Sequence, residues 1–137
     1  MSQPPELPHR ARVLVVDDEP ANLAIVRQLL GEHHDIRVAN SGKRALDLAA
    51  AAPPDLLLLD VDMPELDGYT TCERFKKLDG CADVPVIFLT ARSTVEDEER
   101  GFLAGAVDYI HKPISPPVLR ARVKTQLDLR RALETAR

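Results

Sequence analysis

Short runs of aliphatic residues, separated by segments with helical spacing, constrain the fold of this chain more than any other feature. Continuous aliphatic runs of about four residues suit strands that are buried on both faces of a parallel sheet. A weaker fifth strand is predicted at 36–39, nearer an edge of the sheet. The four stronger runs lie at 13–16, 56–59, 86–89 and 107–110, the last interrupted by Asp108.

The segments between the runs carry helix signals at their ends. Pro20 stands where a first-turn proline is tolerated, and Gly31 ends the first apolar stripe. Ser41 can cap a second helix, and a pair of prolines ends it. Gly68 is expected to open the third helix and Gly105 to end the fourth. The five predicted helices lie at about 20–30, 42–52, 69–78 and 94–103, and from after Pro117 to the chain end.

Five repeats of strand and helix predict an α/β fold, an open, doubly wound parallel sheet with helices on both faces. Ligands of such sheets bind beyond the carboxyl ends of the strands. Polar residues stand at those ends: Asp17 and Asp18 follow the first run, and Asp60, Thr90 and Lys112 follow later ones. We therefore expect these five side chains to meet in one crevice.

Three carboxylates in one crevice need positive charge nearby. Two carboxylates about 4 Å apart repel by about 4 kcal/mol at an effective dielectric of 20. Lys112 supplies only one positive charge, so the remainder indicates a divalent cation, and hard oxygen ligands favour Mg²⁺ over zinc. A single aspartate often caps a helix or ends a strand. Suitable groups at four strand ends are a stronger indication of a site.

Four motifs in fixed order resemble a known family. They are VLVVDDE at 13–19, LLLLDVDMPELDG at 56–68, VIFLTA at 86–91 and YIHKP at 109–113. Together they are similar to the receiver (CheY-like) domain of response regulators in two-component signal transduction, over about residues 11–127. The resemblance implies the flavodoxin-like strand order 2-1-3-4-5. It also implies phosphorelay signalling with a histidine kinase or phosphotransfer protein as partner.

The resemblance further implies a role for each acid. Asp60 would be the phosphoacceptor and would bind Mg²⁺ together with Asp18. Asp17 would bind the ion mainly through water, and the backbone carbonyl of Asp62 would complete the ligands from the protein. The domain would catalyse its own phosphorylation and dephosphorylation without turnover of a foreign substrate.

The residues around the phosphoacceptor also receive roles by resemblance. Lys112 would pair with the phosphoryl group, and Thr90 would hydrogen-bond to it. Inward movement of Thr90 would leave space for the ring of Tyr109, and this would switch an output face formed by the fourth helix, last strand and last helix. The bond before Pro113 is expected to be cis. The side chains of Asp62 and Arg92 would flank the path of attacking water and tune the phosphoryl lifetime.

Composition excludes several other classes of protein. The chain has 18 Lys and Arg against 22 Asp and Glu, a net charge of -4. This balance argues against direct nucleic-acid binding and against nonspecific membrane binding. No apolar stretch approaches the length of about 20 residues that a membrane span requires, and the N-terminus lacks the apolar core of a signal peptide. Cys72 and Cys81 fit neither a disulfide framework nor a four-ligand zinc site, and they are interpreted as reduced thiols of a cytoplasmic protein.

The ends of the chain set the expected domain organisation. Residues 1–10 are predicted to be a flexible leader, 11–127 the receiver domain, and 128–137 an extension of the last helix. That extension would serve as a connector, a dimer seam or a frayed tail. The stretch from Lys112 to Ala132 is similar to receivers fused to cyclic-dinucleotide enzymes. The chain is therefore either part of a longer regulator or a single-domain regulator, and a homodimer would use the output face or the last helix.

Two other functions compete with the receiver hypothesis. The DVD sequence at 60–62 also resembles the opening motif of haloacid-dehalogenase phosphatases, in which the first aspartate attacks phosphate. That motif normally lies on the first strand, and a final acidic motif should follow the lysine. The second alternative is a phosphorylation-independent interaction module with an inactive acidic pocket.

Overall fold

The structure is a computed structural model that describes residues 10–136. Five strands alternate with five helices, as the aliphatic runs predict. The strands are β1 (Arg12–Val16), β2 (Asp35–Ala39), β3 (Leu56–Leu59), β4 (Val86–Thr90) and β5 (Asp108–His111). The helices are α1 (Pro20–Leu30), α2 (Gly42–Ala51), α3 (Gly68–Lys76), α4 (Val95–Ala104) and α5 (Pro116–Ala136).

All five strands are parallel and lie in the order β2-β1-β3-β4-β5. This confirms the doubly wound sheet and the order 2-1-3-4-5. The strand predicted to be weakest, β2, is at an edge. In the register of the sheet, Val15 lies opposite Val38 on β2 and Leu58 on β3, so β1 and β3 end side by side. The switch in strand order at β1 and β3 places a crevice at their carboxyl ends.

Each face of the sheet has its own apolar core. Leu14 and Val16 of β1 point to one core, which includes buried residues of α2, α3 and α4. Val13 and Val15 point to the other, which α1 and α5 cover. Helices on both faces are therefore confirmed. The aliphatic runs are continuous because neighbouring side chains along a strand enter opposite cores, and both cores are apolar.

Local chemistry sets several element boundaries. The hydroxyl oxygen of Ser41 accepts a hydrogen bond from the Arg44 amide at 3.1 Å and caps α2 as predicted. Gly105 ends α4 with φ of +116°, a conformation that favours glycine. The last strand was predicted at 107–110, but β5 is one residue later. The reason is pairing with β4, in which Asp108 lies opposite Ile87, while the Val107 side chain is half exposed.

Only the first part of α5 packs on the sheet. Leu119, Val123 and Leu127 are buried, whereas Leu129 and Leu133 are both about half exposed. The helix nevertheless continues to Ala136. Of the predicted leader, only Arg10 lies within the described residues.

Candidate functional site

The predicted acidic crevice lies at the carboxyl ends of β1 and β3. Asp17 directly follows β1, and Asp60 directly follows β3. The Asp60 amide donates to the Val16 carbonyl at 2.9 Å, which holds the two strand ends together. One carboxylate oxygen from each of Asp17, Asp18 and Asp60 lies within 4.8 Å of the other two. The structure therefore brings together the three acids that the sequence singled out.

Burial makes this cluster electrostatically unfavourable. Asp17 is 1% exposed and Asp60 is 6% exposed, while Asp18 is more accessible to solvent than either. Burial of Asp60, followed by the negative charge of Asp17, raises the pKa of the Asp60 carboxyl from 3.8 to about 6. The positive charge of Lys112 and a hydrogen bond from the Val61 amide oppose this rise without cancelling it. The cluster therefore favours an additional cation or a proton.

Lys112 reaches into the crevice from the end of β5. Its Nζ donates a hydrogen bond to Asp17 Oδ2 at 2.7 Å and lies 3.6 Å from Asp60 Oδ1. Burial disfavours the charged ammonium, but the hydrogen bond with Asp17 and the charge of Asp60 outweigh it and raise the lysine pKa. The peptide bond between Lys112 and Pro113 is cis. Lys112 thus remains charged beside the acids.

The residues present fit a Mg²⁺ ion. One ammonium group faces three carboxylates, so two negative charges are unbalanced. The donors are hard oxygens, and the accessible position of Asp18 leaves room for water ligands. Asp62, whose carbonyl the resemblance adds to the ligands, is an exposed residue between buried Val61 and Met63, two residues after Asp60.

Gly68 allows this loop to turn back sharply onto α3. A Cβ atom at Gly68 would lie 2.2 Å from the carbonyl oxygen of Asp60 and 2.8 Å from the Cα of Val61. Both contacts are with backbone, so the neighbouring atoms cannot move aside easily. The sequence predicted Gly68 as a helix start, which it is, but gave no sign of this close approach.

Thr90 ends β4 and is fully buried. Its Oγ1 accepts a hydrogen bond from the Arg92 amide at 3.0 Å, and its carbonyl accepts one from the Lys112 amide at 2.9 Å. The Thr90 hydroxyl therefore holds the start of the loop that leads to α4. Within residues 10–136 it makes no hydrogen bond to Asp60.

The ring of Tyr109 is buried between the sheet and α4. Its hydroxyl donates to the backbone carbonyl of Asp97 at 2.6 Å. The hydroxyl of Tyr69 donates to the same carbonyl at 3.2 Å. The ring of Phe88 stands between the two tyrosines, with its centroid 5.4 Å from each. Burial, followed by the hydrogen-bond contact with Tyr69, raises the pKa of Tyr109, which therefore remains protonated.

Asp62 and Arg92 form the pair that the sequence suggested. Arg92 Nη2 lies 2.6 Å from Asp62 Oδ1, and Arg92 Nε donates to both carboxylate oxygens. Arg92 Nη1 also donates to Asp97 Oδ1 at 3.3 Å. The side chains of Arg92 and Asp62 are 43% and 59% exposed, so the pair is accessible to solvent.

Asp97 is the main residue that the sequence interpretation missed. Its carboxylate contacts Thr94 and Arg92, and its carbonyl accepts from two tyrosines. The available signal was the Thr94–Asp97 spacing of a helix cap. The Thr94 oxygen accepts from the Asp97 amide at 3.1 Å. The two hydrogen bonds that the Asp97 carbonyl accepts from the tyrosine hydroxyls cannot be predicted from the sequence, because any residue has a backbone carbonyl.

Comparisons with known proteins agree with this geometry. A family model for the response regulator receiver domain matches residues 13–124. A probable cyclic di-GMP phosphodiesterase of Vibrio cholerae is 47% identical over 120 residues, which are 88% of this chain and 27% of that protein. Response regulator PleD of Caulobacter vibrioides is 40% identical over 116 residues, 84% of this chain and 26% of that protein. The chain thus spans about a quarter of the length of these two relatives.

Solved structures give the same result. A putative response regulator from Chloroflexus aurantiacus is 36% identical with a TM-score of 0.82, and the match covers 87% of this chain and 98% of that chain. A CheY-like receiver domain protein from Methanospirillum hungatei is 28% identical with a TM-score of 0.84, covering 90% and 98%. These matches favour neither the haloacid-dehalogenase phosphatase nor the phosphorylation-independent module.

Among the helices within 10–136, none has the length and apolar character to cross a membrane.

Proposed function

Because the chain belongs to the response-regulator receiver family, we propose that Asp60 accepts a phosphoryl group from a phosphohistidine on a histidine kinase or phosphotransfer protein. The observation that carries this proposal is the crowded cluster of Asp17, Asp18 and Asp60, with Lys112 beside it. Such a cluster is poor in positive charge while empty and suits a site that binds Mg²⁺ and an anionic phosphoryl group.

The hydrogen bonds of the acids indicate which one reacts. Both oxygens of Asp17 are occupied, Oδ1 by the Glu19 amide at 3.0 Å and Oδ2 by Lys112. Asp60 Oδ1 accepts from the Val61 amide at 2.8 Å, and Oδ2 accepts from none of the described residues. Asp60 therefore combines a fixed orientation with an oxygen that is free to attack.

The transfer exchanges a P–N bond for a P–O bond. Asp60 Oδ2 attacks the phosphorus of the phosphohistidine, and the imidazole leaves with the electron pair of the broken P–N bond and takes a proton from solvent. Because the carboxylate attacks as an anion, no separate general base is needed. The pKa of about 6 keeps most of Asp60 ionised at neutral pH.

Charge compensation allows two anions to meet in the crevice. Bound Mg²⁺, held by Asp18 and Asp60, with Asp17 through water and the Asp62 carbonyl, would neutralise charge on the phosphoryl oxygens. The Lys112 ammonium, already 3.6 Å from Asp60, can donate to another phosphoryl oxygen. The Thr90 hydroxyl can donate to a third.

The Asp62–Arg92 pair is proposed to set the lifetime of the phosphorylated state. The pair is exposed to solvent and joins the loop that follows Asp60 to the loop that follows Thr90. Both side chains restrict the approach of water to the acyl phosphate. Removal of either one changes the rate of hydrolysis.

The proposed switch begins at Thr90. A phosphoryl group on Asp60 competes for the Thr90 hydroxyl, whose oxygen now accepts from the Arg92 amide. Movement of Thr90 alters the loop at Arg92, and Arg92 in turn contacts Asp97 on α4. Because the Asp97 carbonyl also holds Tyr109, a shift of α4 changes the contacts of the tyrosine ring.

The output face is proposed to consist of α4, β5 and α5. Four large apolar side chains on or beside these elements are between 45% and 85% exposed: Val95, Phe102, Leu103 and Val107. Exposed apolar patches of this kind mark protein contacts. The contact is with an output domain or with a second copy of the chain.

The C-terminal helix is proposed to lead to that output. Residues 11–127 form the receiver, and α5 beyond them presents Leu129 and Leu133 to a following domain or to a dimer partner. Similarity to a probable cyclic di-GMP phosphodiesterase and to PleD supports an output in cyclic-dinucleotide signalling.

A cytoplasmic location is also proposed, because Cys72 and Cys81 are free thiols.

Phosphoramidate tests this function because it carries the P–N bond of a phosphohistidine. Wild type incubated with phosphoramidate and Mg²⁺ should gain the mass of one phosphoryl group. Asp60→Asn should gain none, and Asp47→Asn, a matched change at an exposed acid on α2, should behave like wild type. An unlabelled wild type, or equal labelling of Asp60→Asn, would refute the assignment.

A further inference from the structure

A second charged pocket lies at the opposite end of the sheet from Asp60. It has a volume of about 680 Å³ and is lined by residues at the amino ends of β1 and β2 and at the end of α1. Its ionisable residues are four arginines, one partly buried histidine and one carboxylate: Arg10, Arg12, Arg27, Arg37, His34 and Asp35. The excess of positive charge contrasts with a chain whose net charge is -4.

Three of the four guanidinium groups have no partner within the part of the chain that the structure describes. The side chains of Arg12, Arg27 and Arg37 make no ion pair or hydrogen bond with any residue that the structure describes. Some other arginines are paired with carboxylates, as Arg92 is with Asp62 and Arg122 with Asp108. The distinctive feature of Arg12, Arg27 and Arg37 is that all three line one pocket.

Arg10 is held differently. Its Nη2 atom donates to the carbonyls of Gly31, Glu32 and His34 at 2.8, 2.9 and 3.3 Å. These carbonyls lie at and just beyond the end of α1, where a positive charge is favourable. The Arg10 guanidinium is thus fixed at one wall of the pocket. No carboxylate among residues 10–136 forms an ion pair with it.

The environment of His34 shows the same positive field. Burial lowers the pKa of His34, and the positive surroundings from His33, Arg10 and Arg131 lower it further. His34 is therefore mainly neutral at pH 7. A neutral imidazole in this position can still donate one hydrogen bond to an anion.

From this geometry we propose that the pocket binds a small molecule with two or more phosphate groups, of the class of a nucleoside diphosphate. Guanidinium forks match phosphate oxygens in bidentate geometry. Four arginines against Asp35 leave three positive charges, which suits a polyphosphate better than a single carboxylate. The pocket is an open groove, and its volume of about 680 Å³ is within the range of about 300–1,000 Å³ of small-molecule sites. The acidic balance of the chain disfavours a long nucleic acid.

Titration of the full chain with inorganic pyrophosphate in the presence of a chelator tests this site, because chelation keeps Mg²⁺ from the Asp60 crevice. Backbone amide signals of Gly31, Ile36 and Arg37 should shift, while those of Asp60 and Val61 should not. Failure to bind at about 1 mM pyrophosphate, which is weak affinity for a specific site, would overturn the proposal. Shifts centred on Asp60 would also overturn it.

Substitutions distinguish specific binding in the pocket from general attraction of an anion to positive charge. Arg27→Gln and Arg37→Gln should each weaken pyrophosphate binding about tenfold, as expected for the loss of a charge-assisted hydrogen bond. Arg44→Gln removes the same charge from an exposed position on α2 and should change affinity less than about twofold. Arg37→Lys keeps the charge without the fork and should be intermediate. If all these substitutions change pyrophosphate affinity equally, specific binding in the pocket is contradicted.

Two further ligands identify what the pocket recognises. ADP that binds more tightly than pyrophosphate would indicate contacts with the nucleoside, and equal binding would indicate recognition of the phosphates alone. Both results support the polyphosphate site. Tighter binding of a single-stranded oligonucleotide than of pyrophosphate would refute it in favour of nucleic-acid binding. Phosphorylation of Asp60 is not required in any arm, so this test is independent of the proposed receiver function.

Discussion

Replacement of the Asp60 carboxylate by a neutral amide should stabilise the metal-free protein at alkaline pH. Burial and the nearby Asp17 charge raise the pKa of Asp60 from 3.8 to about 6. Between these values the folded state retains a proton that the unfolded state has lost, so the stability of wild type falls as pH rises. Above both values the penalty corresponds to about 3 kcal/mol, at 1.36 kcal/mol for each pKa unit.

The assay is urea unfolding of wild type and Asp60→Asn in a chelator at pH 4 and pH 8. At pH 8 the variant should be more stable by about 2–3 kcal/mol, and at pH 4 the difference should nearly vanish. Asp47→Asn, an exposed acid on α2, should change stability by less than about 0.5 kcal/mol at both pH values. A variant that is less stable than wild type at pH 8, or a difference that does not depend on pH, would refute the electrostatic argument.

Other residues give sharp expectations. Asp62→Ala and Arg92→Ala should each alter the dephosphorylation rate by about 2- to 10-fold, a barrier change of roughly 0.4–1.4 kcal/mol, as followed by loss of the phosphorylated mass; unchanged rates in both would remove the proposed tuning role. Gly68→Ala should cost about 1–3 kcal/mol in urea unfolding, since its Cβ would lie 2.2 Å from the Asp60 carbonyl oxygen. If Gly68→Ala is as stable as wild type, the backbone of Asp60 and Val61 can move aside and the close approach does not constrain the loop. Tyr109→Phe should lose about 1 kcal/mol of stability, because the 2.6 Å hydrogen bond to the Asp97 carbonyl is removed. An unchanged free energy of unfolding would show that this hydrogen bond does not stabilise the fold.

Local sequence patterns were sufficient to predict a doubly wound parallel sheet and the acidic cluster, whereas the strand order was implied by the family resemblance. The aliphatic runs predicted the strands because each strand is buried on both faces. The carboxyl ends of parallel strands share one edge, so Asp17 and Asp60 could be placed together before any coordinates. Helix caps followed from single residues such as Ser41 and Gly105.

Details that depend on pairing or on backbone contacts could not be predicted. The one-residue shift of β5 results from its register with β4, which a polar residue such as Asp108 does not reveal. The role of the Asp97 carbonyl depends on two tyrosines that are distant in sequence. The arginine pocket assembles residues from β1, α1 and β2, and none of them belongs to a recognisable motif.

The most direct test of the central claim is to locate the modified residue after incubation with acetyl phosphate, with and without Mg²⁺. Borohydride converts an aspartyl phosphate to homoserine, which peptide mass spectrometry can identify. The cluster geometry predicts homoserine at position 60 only when Mg²⁺ is present. Homoserine at position 17 or 18, or equal conversion in a chelator, would contradict the account.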